Sequence, residues 1–285
     1  MPYTDAVTVN QIGGALGAVV TNLDLSKPLH AETVLRLKQV MKEHLVVVFK
    51  GQDLSEEQFK DFATYFGPVF QPPSHIPVLA SQKDGVTPEI IAVANVDGGY
   101  TGSGELAPHI DHQWTPYPSK GSFLYALEVP AQGGDTHWLN LQLAYDELDE
   151  ALKEQIAELR LITYNPFLRD KAEYRPSYRD PAVPLISPVF PHPLVRTHPE
   201  NGRKILFLSY ATEVEIVGYT PVEGAALVER LREHLHQDHF YYKHKWSVGD
   251  LVYWDNQATA HHRPAFDPQS RRVLKRISLG GGRPF

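Results

Sequence analysis

At 285 residues, 42% of them hydrophobic, the chain is long enough to bury a sizeable core without disulfides or a structural metal. It has no cysteine, which excludes disulfides and thiolate metal sites and leaves histidine and carboxylate as the strong ligands available. The formal net charge of −7, with no basic run, removes the electrostatic footprint of nucleic-acid binding, and no apolar stretch reaches transmembrane length.

Taken in order, the first twenty residues lack a basic segment followed by an apolar block, so a cytoplasmic protein without a membrane partner is expected. Residues 12–25 predict a short strand and a turn. Val34, Leu37, Val40 and Met41 recur at helical spacing and predict a helix over 31–44, and the apolar run 45–49 predicts a buried strand. Ser55-Glu-Glu-Gln58 is a capping-box signature; Phe59, Phe62 and Phe66 then share one core-facing side, with Gly67 placed to end the helix. Residues 68–118 are rich in Pro, Gly and polar side chains, with only 90–93 reading as apolar. Asn140 is placed to cap a helix through Leu143, Ala144 and Leu148, and a second helical pattern follows at Leu152, Ile156 and Leu159.

Residues 166–193 hold seven prolines, with Arg169, Lys171, Arg175 and Arg179 among them, which excludes helix and central strand. Irregular stretches this long are lids or binding loops, or else plain surface loops. Thr220-Pro-Val-Glu223 starts another helix, with Val222, Ala226, Leu227, Leu231 and Leu235 as its buried face. Residues 251–254 and 271–279 read as strands. No repeat or linker divides the chain, so residues 1–285 read as a single domain of mixed α and β class.

His109 and Asp111 lie two apart, and in extended chain i and i+2 share a face, so an imidazole and a carboxylate converge on one point. That is two-thirds of the facial triad that holds non-haem Fe(II) and leaves positions open. With fourteen histidines in the chain, a chance pair on a solvated loop is the competing reading. Further on, Trp254-Asp255-Asn256 is followed by His261, and Arg272 comes eleven residues after that.

With these motifs the chain resembles the iron(II)/2-oxoglutarate-dependent dioxygenases of the taurine dioxygenase (TauD/TfdA) type. The resemblance rests on Gly-Glu105-Leu-x-x-His109-x-Asp111, Gly133-Gly-Asp-Thr136, Arg196-Thr-His-Pro-Glu-Asn-Gly-Arg-Lys204, and Trp254-Asp-Asn…His261 with Arg272 and Arg276. An opening block, Leu16-Gly-Ala…Leu23-Asp-Leu-Ser…Val46-Val-Val-Phe-Lys-Gly51-Gln, fits as well. It implies a double-stranded β-helix (jelly roll) with flanking helices, and two long active-site loops closing over the metal. It implies Fe(II) on His109, Asp111 and His261, with 2-oxoglutarate and O2 as cosubstrates. The distal carboxylate of 2-oxoglutarate would meet Arg272, helped by the Thr136 hydroxyl, because the planar guanidinium fork matches a carboxylate. Succinate and CO2 would be released as a small-molecule substrate is hydroxylated. Asp111 favours hydroxylation over halogenation, while desaturation and ring formation stay open.

Arg276 is four residues beyond Arg272 on the expected strand, hence on the same face about 13 Å along it. It is assigned to an anionic group of the substrate; pairing with an internal Asp or Glu is the alternative. Glu105 and Trp114 fall where the family lines its pocket. Taurine dioxygenase has Asn at the position of Glu105, and Trp is common at that of Pro108. A carboxylate facing the pocket would repel a sulfonate and suit an amine, so an amino acid or other zwitterion stands beside a sulfonate or aromatic acid as substrate. His112 and His262 are expected behind the ligands or in solvent, and Trp254 near the iron or in the core. Self-association, common in the family, makes a homo-oligomer an expectation. The other function classes are a non-catalytic jelly-roll binding protein and a cupin-type oxygenase or metal hydrolase that does not use 2-oxoglutarate.

Overall fold

A computed structural model describes residues 7–74, 76–80, 87–168, 189–210 and 212–285. The elements run β1 (Thr8–Gln11), β2 (Ala18–Thr21), α1 (Ala31–His44), β3 (Val46–Phe49), α2 (Glu56–Thr64), β4 (Ile91–Ala94), β5 (Leu106–His109), β6 (Gly121–Glu128) and β7 (Thr136–Asn140). They continue through α3 (Leu141–Asp146), α4 (Glu150–Ile156), β8 (Arg160–Thr163), β9 (Pro191–Pro193), β10 (Val195–Thr197), β11 (Lys204–Leu206) and β12 (Val214–Ile216). The last are α5 (Pro221–Leu235), β13 (Tyr241–His244), β14 (Leu251–Asp255), β15 (Thr259–Arg263) and β16 (Val273–Leu279). A seven-stranded sheet has the order β1-β2-β3-β14-β6-β16-β4, and a four-stranded sheet the order β13-β7-β15-β5. Two small sheets, β10-β11 and β12-β8-β9, complete the set.

Strand alternation decides what the larger sheet presents on each face. Val47, Phe49, Phe123, Tyr125, Leu251, Tyr253, Ile277 and Leu279 pack with Leu37 and Val40 of α1 and Phe59 and Phe62 of α2. The intervening Val46, Val48, Leu124, Ala126, Val252, Trp254 and Leu274 turn the other way and meet Trp138 of β7 and Trp246. Arg276 follows the phase of Leu274 and is therefore carried into the space between the sheets. A third cluster, with Leu227, Val228, Leu231 and Leu235 of α5, packs α3 to α5 on the far side of the smaller sheet.

The capping boxes at Ser55 and Thr220 and the Asn140 cap form as the sequence indicates. Several expectations are corrected. α2 ends at Thr64, ahead of Gly67, and Phe66 is still buried in the loop that follows. Leu148 and Leu159 lie just beyond α3 and α4. On α5, Val222 in the first turn is 81% exposed and Ala226 is exposed as well, and the stripe is completed by Gly224 and Val228. The stretch 68–118 contains β5 as well as β4. In 166–193, Pro166–Leu168 forms a 3-10 turn and β9 is an edge strand, where missing N–H donors are tolerated. Arg169, Lys171, Arg175 and Arg179 lie outside the described residues.

Candidate active site

β5 and β15 pair at the edge of the smaller sheet, and their register sets His109 directly opposite His261. The two rings are 4.1 Å apart between centroids. Asp111, two residues past the end of β5 and buried, reaches between them. Its Oδ1 is 3.7 Å from His109 Nε2 and its Oδ2 3.9 Å from His261 Nε2. Ligand atoms of the three lie within 4.8 Å of one another, and among the described residues no second group of His, Asp or Glu does so. His109 Nδ1 sits 2.8 Å from the Ala107 carbonyl; a proton held there leaves Nε2 with its lone pair facing Asp111. Burial, and after it the adjacent His109, hold His261 well below the ordinary imidazole range, so its ring is neutral and able to ligate.

Arg276 Nη1 donates to Asp111 Oδ2 at 3.0 Å. Burial alone would raise the Asp111 carboxyl, but the charge of Arg276, then those of the neighbouring histidines, keep it well below the usual carboxylate range. Arg276 thus has an internal acid as partner, the alternative that the sequence leaves open. Its Nε is buried with no hydrogen-bond partner among the described residues.

Arg272 is 2% exposed and precedes the first residue of β16, where the pairing with β6 slips by one. Its main chain is held by Asn95, its Nε donates to the Gly134 carbonyl at 2.9 Å, and its Nη2 lies 3.3 Å from the Thr136 hydroxyl. No carboxylate lies within ion-pairing distance of it among the described residues. Burial, and then the charge of Arg263, push it down to about 9, against the weaker pull of Asp135. A buried guanidinium without an acid is costly unless an anion arrives, so it fits the distal carboxylate of 2-oxoglutarate. The two imidazoles and one carboxylate likewise form a donor set suited to Fe(II).

Both arginines, Thr136 and the His–Asp–His trio line one cavity of about 330 Å³, together with Trp114, Phe167 and Glu105. Trp114 is buried, donates to the Pro77 carbonyl and meets Phe167 edge-on at 5.5 Å. Glu105 stands at the rim with its side chain 61% exposed, and accepts from His262 Nε2 at 2.8 Å. His112 is buried, stacks on Phe70 at 4.0 Å and is pushed by burial down to about 4; it adds no ligand atom to the trio. Trp254 is both core and neighbour of the trio, 4.9 Å from the His261 ring.

Two contributors, Trp246 and Arg263, carry no signal in the sequence reading, and a third, Asn256, stands in the Trp254-Asp-Asn block without a role read from it. Trp246 donates to the Thr136 hydroxyl at 3.0 Å, Arg263 donates to the carbonyls of Gly102 and Gly104, and Asn256 bonds the backbone of Asp111. Each acts through hydrogen bonds to groups distant in sequence, which no periodicity reveals.

Comparison with known proteins decides the family. The model of the "Taurine catabolism dioxygenase TauD, TfdA family" matches residues 8–278. The chain belongs to the TauD/TfdA family. It is therefore an α-ketoglutarate-dependent dioxygenase, and the cofactors of the family are Fe(II), 2-oxoglutarate and O2. It is 34% identical to the α-ketoglutarate-dependent 2,4-dichlorophenoxyacetate dioxygenase of Cupriavidus pinatubonensis, over 96% of this chain and 97% of that protein. Among solved structures it resembles a taurine dioxygenase from Burkholderia xenovorans, with a TM-score of 0.79, 31% identity, and coverage of 98% of this chain and 92% of that one. AAD-2 in complex with Mn(II) and N-oxalylglycine also gives a TM-score of 0.79, with 30% identity, 98% of this chain and 99% of the other covered. In this TauD/TfdA dioxygenase no helix among the described residues is long and apolar enough to cross a membrane.

Proposed function

We propose that this dioxygenase hydroxylates an unactivated C–H bond of a small anionic molecule with an apolar body, through Fe(II) on His109, Asp111 and His261. Bound iron and 2-oxoglutarate supply O2 activation, with release of succinate and CO2. The observation that carries the reading is Arg272, a buried cation without an acid partner, in the same cavity as the only His–Asp–His group among the described residues. Arg272 and Thr136 take the distal carboxylate of the cosubstrate, a bidentate pairing that a cavity without 2-oxoglutarate would not need. Arg276 steadies Asp111 through Nη1 and offers its unpartnered Nε to the substrate anion.

Trp114 and Phe167, with Leu106 and Leu124, give the cavity an apolar wall that excludes water and receives the body of the substrate. Glu105 turns toward His262, which leaves cationic side chains to dominate the interior. This favours an aromatic acid or sulfonate over an amino acid, in keeping with the relative named for 2,4-dichlorophenoxyacetate. We read the seven- and four-stranded sheets as the halves of a double-stranded β-helix, and residues 1–285 as one catalytic domain drawing site residues from both ends. The lack of cysteine suits a reducing compartment, and we assign the protein to the cytoplasm.

The test is consumption of 2-oxoglutarate and release of succinate, with and without Fe(II), by wild type and Arg272→Ala, over a panel of aryloxyacids, sulfonates and amino acids. Wild type should need Fe(II), and the substitution should raise the KM for 2-oxoglutarate on the order of 100-fold, as expected for removing one partner of a buried charge pair. Equal consumption by both proteins would refute the cosubstrate assignment.

A further inference from the structure

The Trp254-Asp255-Asn256 motif supplies no ligand, yet its third residue occupies the centre of the site's scaffold. Asn256 is 1% exposed and sits in the short connection between β14 and β15. Its Oδ1 accepts the Asp111 N–H at 2.9 Å, and its Nδ2 donates to the Asp111 carbonyl at 2.9 Å and the Ser119 carbonyl at 2.8 Å. One side-chain amide thus bonds both main-chain groups of Asp111, as a neighbouring strand would. It does so where strand pairing has run out: β5 ends at His109, and His112 turns the chain with φ of 60°. The Asn256 N–H also donates to the Lys120 carbonyl at 3.0 Å.

The clamp is itself held on the opposite side. His198 Nε2 lies 3.0 Å from Asp255 Oδ2, and Arg196 Nη2 donates to Gln257 Oε1 at 2.7 Å, all four side chains being buried. The Gln257 N–H and the Thr259 hydroxyl bond back to Asp255 at 2.8 and 2.7 Å. The connection is therefore rigid, and two residues after Thr259 the chain delivers His261. Asn256 joins the strand that bears one ligand to the loop that bears another.

We infer that Asn256 is a positioning residue that fixes the Asp111 carboxylate relative to His261, so that metal affinity depends on its amide. The inference rests on the metal assignment above. Side chains that orient ligands without touching the metal commonly change affinity by roughly 10- to 100-fold when removed. Asn256→Asp keeps the acceptor for the Asp111 N–H but sets an oxygen against two carbonyls, Asn256→Ala removes the amide, and Ser119→Ala deletes a hydroxyl that accepts from Asn256 Nδ2 at 3.1 Å while leaving both bonds of that amide to Asp111 in place.

The experiment is Co(II) titration of the metal-free full chain, followed by the visible d–d bands, alongside thermal melting of the same metal-free proteins. Both Asn256 variants should bind Co(II) at least roughly tenfold more weakly, with altered bands, while Ser119→Ala stays within about twofold of wild type. Asn256 variants with wild-type affinity and bands would overturn the inference, as would a loss matched by Ser119→Ala or a failure of both Asn256 variants to fold, which would mark the residue as structural. If wild type itself binds no Co(II), the metal assignment falls too; if only the Asn256 result is contrary, that assignment stands and the positioning role does not.

Discussion

Gly134 shows how closely the backbone is built around the Arg272 side chain. Its φ is +73°, and a Cβ there would come within 2.8 Å of Pro130 Cγ and 3.1 Å of Arg272 Cδ, while its carbonyl takes the Arg272 Nε–H. Gly134→Ala should therefore strain the backbone by about 1–2 kcal/mol and displace the guanidinium. The expected result is a KM for 2-oxoglutarate raised on the order of tenfold with a modest fall in melting temperature, a tenfold change being about 1.4 kcal/mol of binding. A variant that loses stability but binds 2-oxoglutarate as wild type does would separate Gly134 from the cosubstrate. At this scale spacing offers only His109 with Asp111; His261, Thr136 and Arg272 come from the family resemblance, and the structure brings the first three side chains together and sets Thr136 beside Arg272. The Arg276–Asp111 pair is not legible: a strand pattern tells which face a charge occupies, and says nothing of which acid it meets there.

Elements whose signal is local are legible in the sequence. α1 follows from its apolar stripe and α2 from its capping box, since both depend on neighbours within four residues. β5 leaves no such signal, because its sequence, Leu-Ala-Pro-His, lacks alternation and its pairing is supplied by β15, far along the chain. The buried face of α5 departs from its apolar pattern at the first turn, where Val222 beside the cap needs no partner. The turn from β13 to β14 offers a test at this scale. The buried Asp250 carboxylate accepts from Lys50 Nζ at 2.8 Å and from the Ser247 N–H at 2.9 Å, and lies 3.0 Å from His244 Nε2. Burial opposes its ionisation, but these bonds, that of His244 first, leave its pKa lowered. A depressed acid stabilises the fold above its unfolded value, about 3.9, and that contribution disappears as pH falls through the folded value. Asp250→Asn should be destabilised by about 1–3 kcal/mol at pH 7, from the partners left unmatched. Its melting temperature should then decline less than that of wild type between pH 5 and pH 3. Parallel declines would show that Asp250 contributes nothing to the acid response.

Across the whole molecule, the two sheets divide the work. The smaller brings His109 and His261 together by strand register and presents Thr136, while the larger projects Arg276 from the face opposite the α1 and α2 packing. The family is legible in the sequence because the motif blocks keep a fixed order along nearly the whole chain. Substrate choice is not, since it depends on how the walls around Trp114 and Phe167 close, a matter of tertiary packing. The direct measurement of the central claim is anaerobic equilibrium dialysis of Fe(II) against wild type and the single variants His109→Ala, Asp111→Ala and His261→Ala. Residues behind a metal already change affinity by roughly 10- to 100-fold, so each ligand removed should weaken binding by at least about 100-fold, against one equivalent bound per wild-type chain. If any of the three variants binds Fe(II) with the stoichiometry and affinity of wild type, that side chain is not a ligand and the account of the site is wrong.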